Sequence, residues 1–300
     1  RGRGRAGRRQ QAPTRRARRP DLSLCSLTGW GRGGPREGVA AYDNVVQAAS
    51  GVVERSGGAK PGLSFVDYSA GQTAAYAIAC ALFRRAREGK GQTLDVSMYE
   101  TTLMQMAPEA AAALHDGGQA KPKEPGIRAY ACACGASLML GAFTPAQTAR
   151  LTERLRAEGF ETPALPRAPD WPDLWALAEP LAAAFAAAVA SRPAAEWQAR
   201  LQGLGFAAEV QRSLPEALAD PHLSARRTFQ PLPAALPGAT PVHAAAAAFA
   251  ADRDGPAVSR PAPRHGEHTA ELLREVGWTE ARIEALAASG AALQAPEAAP

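Results

Sequence analysis

"GLSFVDYSAGQTAAYAIACALFRRAREGKGQTLDVSMYE", residues 62–100, decides the fold. From Ala70 to Phe83 it is almost wholly small and apolar, the composition of a helix packed on several sides. Arg84, Arg85 and Arg87 followed by Gly89 supply the basic last turn and the glycine with which helices close. Leu94, Val96 and Met98 then alternate with Asp95 and Ser97, as in a strand with two unlike faces. A further helix is predicted from Ser97 or Tyr99 through Leu114. Helix, strand, helix in this order predicts an α/β layer. One carboxylate, Asp67, stands just before the predicted helix start at Ala70, with Gly71 inside the first turn. The free amides and positive dipole end favour an ionised carboxylate there. That suits a nucleophile better than a general acid, and Ser69 and Gly71 leave backbone N–H groups near any developing oxyanion. An ordinary cap or loop acid has the same spacing.

N-terminal to this stretch, "DLSLCSLTGWGRGGP" reads as a short strand, with Leu22 and Leu24 on one face, running into a glycine loop over Gly29–Gly34. The loop matches GxGxxG at Gly29, Gly31 and Gly34. A dinucleotide site requires a helix to open at once, and Pro35 with a polar stretch follows instead, which argues against that reading. Trp30 lines a ligand pocket or packs in the core. A helix is predicted from Ala40 to Val53, followed by the loop "RSGGAKPG".

C-terminal to it, glycine, lysine and proline mark a linker over residues 116–127. "RAYACACGASLMLGAF" predicts a hairpin, with Cys132 and Cys134 on one face of a strand. Helical stretches broken by prolines fill Pro145–Phe206. "LPEALADPHLSARRTF" forms a helix and its exit, a proline-rich return follows, and "TAELLREVG" and "TEARIEALAASGAA" are the last helices.

A chain of 300 residues, 46% hydrophobic, is long enough for two domains. The basic balance is local, because residues 1–20 hold nine arginines and no acid, and removing these from the net charge of +5 leaves −4 for residues 21–300. No aromatic alternates with that arginine run, which argues against nucleic-acid binding and favours a disordered leader over 1–20. No apolar segment long enough to span a bilayer or serve as a signal peptide is seen, which predicts a cytoplasmic location without membrane contact. The four cysteines are too irregularly spaced for a disulfide framework and read as reduced, mostly buried thiols. His265, Glu267 and His268 lack a third convincing ligand and read as a structural turn, with no metal.

In sequence, "RPDLSLCSLTGWGRGGP", "AAYDNVVQAASGVVERSG", the residue 62–103 stretch and "RPAPRHGEHTAELLREVGWTEARIEAL" resemble the family III CoA-transferases, the group of formyl-CoA transferase and carnitine CoA-transferase that also includes α-methylacyl-CoA racemase. The D-x-x-x-G turn at Asp67, the R-x-x-x-G-x-G-Q helix exit at Arg85 and P-R-x-G-E-H-T at Pro263 carry it. The resemblance implies that Asp67 is the nucleophile, with coenzyme A as substrate and no bound cofactor. Donor and acceptor would be an acyl-CoA and a small carboxylic acid. It places Tyr42 and Asp43 beside the substrate, Asp43 where formyl-CoA transferase has a glutamate. Gly117, Gly118 and Gln119 are similar to a glycine-rich loop over the site, and Trp30 and Gly31 fall near coenzyme A.

It also implies a Rossmann-like large domain built from both chain ends, 21–115 and 226–300, around a smaller α+β domain inserted over 128–225, in a homodimer. Family members carry a further segment before Arg19 with groups that hold the CoA phosphates, so a shortened, inactive member is one expectation. Racemisation is another. It needs two bases flanking the α-carbon, and the racemase histidine that precedes the Asp43 position is Tyr42 here. A phenol titrating near about 10 is a poorer base at neutral pH than an imidazole near about 6.5.

Overall fold

A computed structural model of the chain describes residues 17–117, 124–232 and 242–295. Gly118 and Gln119, most of the basic leader and part of the linker lie outside the described residues. The chain divides into two compact units between residues 122 and 123. Helices and strands alternate in the first and mix in the second, so the general α/β expectation holds.

In the first unit, β1 (Leu24–Thr28) pairs in parallel with β2 (Thr93–Ser97), in register from Leu24 opposite Thr93 to Thr28 opposite Ser97. A parallel pair requires a long crossover. Here it is α1 (Asp43–Ala49), α2 (Val52–Arg55) and α3 (Phe65–Glu88). Two strands establish the α/β layer without defining a Rossmann-like order. Gly91 brings the chain into register: its N–H donates to Pro20 O at 2.9 Å, and an added Cβ would lie 2.2 Å from Leu22 O. Only glycine fits there.

Three predicted helices in this unit are corrected. The Ala40–Val53 helix begins only at Asp43 and is cut by Gly51, whose φ of +87° is left-handed. The helix predicted to begin at Ala70 begins at Phe65, so Asp67 lies in its first turn rather than before it. The helix after β2 is two, α4 (Met98–Gln105) and α5 (Ala107–Asp116). Pro108 near the start of α5 has no N–H to continue the ladder, and the chain breaks at Met106. Ser97 caps α4, accepting the Glu100 N–H at 3.3 Å.

The predicted burial of α3 is also corrected. Val66, Ala70, Ala74 and Ala81 form its one buried stripe, whereas Tyr68, Tyr76 and Phe83 are exposed. Spacings of eight and seven residues, close to two helical turns, put these three aromatics on a second stripe.

The second unit opens with the expected hairpin, β3 (Ala129–Ala131) antiparallel to β4 (Ser137–Leu140), and adds an unforeseen third strand, β5 (Ala208–Val210). Between β4 and β5 lie α6 (Pro145–Ala157), α7 (Trp171–Ala176), α8 (Ala178–Val189) and α9 (Ala194–Gly203). Leu138, Leu151, Leu174, Leu181, Phe185 and Trp197 centre a core closed against this sheet. The following segment forms two short helices, α10 (Leu214–Leu218) and α11 (Pro221–Arg226), then an antiparallel pair, β6 (Phe229–Leu232) with β7 (Val242–Ala245). The last two predicted helices are α12 (Thr269–Glu275) and α13 (Glu280–Ala288).

The cysteines depart from expectation. Cys132 and Cys134 follow β3 around a turn at Gly135, so they share no strand face: Cys132 is buried and Cys134 exposed. Burial pushes the Cys132 thiol up, whereas the Ala194 N–H, donating to Sγ at 3.5 Å, brings Cys134 down. Cys25 and Cys80 are exposed as well, so mostly buried thiols were the wrong expectation. All four are free.

Candidate active site

Two carboxylates meet at the first turn of α3, in opposite circumstances. Asp43, the first residue of α1, is 7% exposed. Its Oδ2 accepts the backbone N–H of Val66 at 3.0 Å and of Asp67 at 3.3 Å. Its Oδ1 accepts from Gln47 Nε2, which also donates to Leu63 O at 3.1 Å. The first amides of a helix have no intrahelical acceptor, and here two of them find one on another helix. A buried carboxylate needs donors, and these three N–H groups supply them.

Asp67, the third residue of α3, is exposed, and among the described residues no side chain donates to its carboxylate. Ser64 and Asp67 have the S-x-x-D spacing of a capping box, in which Ser64 would accept the Asp67 N–H and Asp67 would reach back to the Ser64 N–H. That box is not formed: the Ser64 side chain makes no capping bond, and the Asp67 N–H goes to Asp43 instead. Sequence reasoning missed both the box spacing, which would have set the helix start at Phe65, and Gln47, whose i, i+4 relation to Asp43 was the available signal.

The remaining candidate residues are placed as follows. Tyr42 is the N-cap residue of α1 and is 74% exposed. Gly71 lies within α3, where an added Cβ would meet open space. The Ser69 and Gly71 amides are therefore helix-interior donors to carbonyls four residues back, and the expectation that they face an oxyanion is corrected. Gly117 closes α5 in a left-handed conformation. Asp67, Tyr68 and Gly71 are all exposed, so the described residues provide no desolvated setting around the Asp67 carboxylate.

Trp30 is 9% exposed and packs with Val46, Val66, Ala70 and Met98, the core beneath the first turn of α3. Its ring lies 5.5 Å from that of Tyr99, and the Arg36 guanidinium stacks on it. Trp30 and Gly31 also line an open cavity of about 570 Å³, with Thr28, Arg32, Glu37 and Val39. Asp67 and Tyr42 are not among its lining residues. The loop amides are occupied: Gly31 N–H donates to Thr28 Oγ1 at 3.0 Å, Arg32 N–H to Asp95 Oδ2 at 2.8 Å and Gly33 N–H to Glu37 Oε2 at 3.0 Å. A phosphate cradle needs such groups free, so the GxGxxG spacing here builds a self-satisfied turn.

Away from this end, Glu267 Oε2 accepts the Arg264 N–H at 2.6 Å, which makes P-R-x-G-E-H-T a hydrogen-bonded turn. No group of three potential metal ligands, and no helix long and apolar enough to cross a membrane, occurs among the described residues.

The family described as CoA-transferase family III matches residues 8–269. An acyl-CoA transferase of Fusarium pseudograminearum is 30% identical over 270 residues, covering 86% of this chain and 58% of the relative. The mouse (Mus musculus) α-methylacyl-CoA racemase is 30% identical over 290 residues, covering 88% of this chain and 70% of the relative. The chain thus spans 58% and 70% of the length of these two curated relatives. Among solved structures, Rv3272 from Mycobacterium tuberculosis superposes with a TM-score of 0.71 at 22% identity, covering 86% of this chain and 70% of that one. A CAIB/BAIF family protein from Brucella suis gives 0.67 at 22%, covering 87% and 69%. These two likenesses concern the fold. With the match extending from residue 8 to residue 269, the chain belongs to CoA-transferase family III.

Proposed function

We propose that this chain moves coenzyme A between an acyl-CoA and a carboxylic acid, with Asp67 as the nucleophile. One observation carries the reading: of two carboxylates at one helix end, the buried one is spent on backbone amides and the exposed one has no side-chain partner among the described residues. An ionised, uncommitted carboxylate beside a positive helix terminus is the state a nucleophile needs.

The chemistry proceeds by exchange at acyl carbons. An Asp67 oxygen bonds to the thioester carbon and the C–S bond breaks, giving a mixed anhydride and CoA thiolate. The thiolate then attacks the Asp67 carbonyl, so an aspartyl-CoA thioester forms and the donor acid leaves as its carboxylate. The acceptor carboxylate repeats the sequence in reverse, and Asp67 is regenerated as CoA departs on the new acid. Every step joins species of similar energy, and hydrolysis of the anhydride is the competing loss. Water must therefore be excluded. We infer that a second copy of the chain covers this face, because α3 is almost wholly small and apolar from Ala70 to Phe83 and only one stripe of it is buried among the described residues.

The test is trapping with hydroxylamine after incubation with an acyl-CoA. A hydroxamate on Asp67, identified by peptide mass, is the expected result, with at least about a thousandfold loss in Asp67→Asn. Absence of label on residue 67 overturns the reading. The mouse racemase relative supports α-proton exchange as a second reading. Incorporation of deuterium at the α-carbon without CoA transfer would favour it over transfer, and Tyr42 in place of an imidazole weighs against it.

A further inference from the structure

The geometry points to Asp43 as a positioning residue that pre-empts the local capping box of Ser64 and Asp67 and so keeps the Asp67 carboxylate free; this rests on the reading of Asp67 as nucleophile. The sequence at the start of α3 offers a self-contained solution to the orphan amides, since Ser64 and Asp67 stand at the N-cap and third helical positions. In that solution the Asp67 carboxylate is consumed by the Ser64 N–H. The protein adopts another. Asp43 Oδ2 lies 3.0 Å from Val66 N and 3.3 Å from Asp67 N, taking the amide that Ser64 would have bound. Removing one half of a reciprocal box removes the geometry for the other, and Asp67 is left without a backbone partner.

Asp43 is held for this task from behind. Gln47 is fully buried and its Nε2 bridges Asp43 Oδ1 to Leu63 O, which ties the segment entering α3 to the face of α1. With 7% exposure and three N–H donors, Asp43 has little capacity left for a substrate. This differs from the substrate-orienting role that the family resemblance implied. A substrate contact would depend on the charge of residue 43, whereas a cap depends on an acceptor oxygen in the right place, and asparagine provides one nearly as well.

Two measurements on the whole chain separate these roles. Hydrogen–deuterium exchange over peptides that resolve Val66 should show its amide protected in the native protein. It should exchange roughly tenfold faster in Asp43→Ala and remain protected in Asp43→Asn. In the second, the single-turnover rate of hydroxylamine-trappable acyl transfer to Asp67 is followed at rising acyl-CoA. Asp43→Ala is expected to lower the saturated rate roughly tenfold with little change in the half-saturating concentration, and Asp43→Asn to stay within about threefold of the native rate.

An unprotected Val66 amide in the native protein overturns the proposal. So does an Asp43→Asn variant that loses acyl transfer while its Val66 amide stays protected, because the charge would then act on substrate. If Asp43→Ala is not recovered folded, the native and Asp43→Asn proteins still decide both points. If the native protein is never labelled at residue 67, the nucleophile reading fails, and with it the positioning role, while exchange at Val66 still reports whether Asp43 caps α3.

Discussion

The two compact units bury their apolar residues differently. Among the described residues, the core of the second unit gathers seventeen buried side chains, and that beside Asp67 in the first gathers five. In the second unit, Trp197, Phe185 and Leu138 are sealed between helices and a three-stranded sheet. In the first, α3 packs one stripe and presents Tyr68, Tyr76 and Phe83 to the outside. The candidate nucleophile therefore sits in the unit whose own core is thinner. A closed core holds a shape without help, whereas an apolar helix face left open calls for another surface.

The largest effect expected from this difference is at Phe185, which is fully buried. Phe185→Ala should lower the stability of the second unit by about 3–5 kcal/mol, read as a shifted urea midpoint. Amide exchange in α3 should stay as it was if each unit rests on its own core. Loss of protection in α3 to the same extent would mean that the two cores are one cooperative system.

A smaller effect is expected from alkali on the same closed core. Burial pushes the Tyr130 hydroxyl up to about 12, and the group donates to Pro125 O at 2.7 Å. Folding favours the protonated phenol, so its contribution is complete below the unfolded value near about 10 and is lost as pH rises towards about 12. Roughly 2 kcal/mol should disappear across that window. Tyr130→Phe, measured by urea unfolding at successive pH values, should flatten this slope. An unchanged slope would assign it to other groups.

What the sequence disclosed follows the range of each interaction. The β2 strand, the Cys132 hairpin and the two C-terminal helices rest on periodicity and turn residues within a few positions, and all were legible. β5 was not, because three residues are too short to carry an alternation. The break at Met106 was readable from Pro108 but was passed over. At the site, Asp67 was singled out by its place near a helix start and by the resemblance, whereas the hydrogen bonds of Asp43 to the start of α3 were not legible. Its partners are 23 and 24 residues away, and only the packing of α1 against α3 brings them together. The composition of α3 predicted cover on several sides, and the structure buries one stripe.

The smallest effect on folding is expected where that cover is missing. Phe83 is 65% exposed, and the Arg87 guanidinium lies 5.7 Å from its ring centroid. Phe83→Asp removes an apolar side chain that contributes little burial within the chain and creates an i, i+4 pair with Arg87, worth about 0.2–0.5 kcal/mol. The stability of the dilute single chain should therefore stay within about 0.5 kcal/mol of the native value. Self-association should not be so tolerant, since a carboxylate would then have to be buried between two copies. Sedimentation across a concentration series is the measurement; if the aromatic stripe joins two copies, self-association of the native chain should be weakened at least about tenfold by the substitution. If native and variant chains associate alike, the aromatic stripe of α3 is not the surface that joins them, and the cover over Asp67 must come from elsewhere.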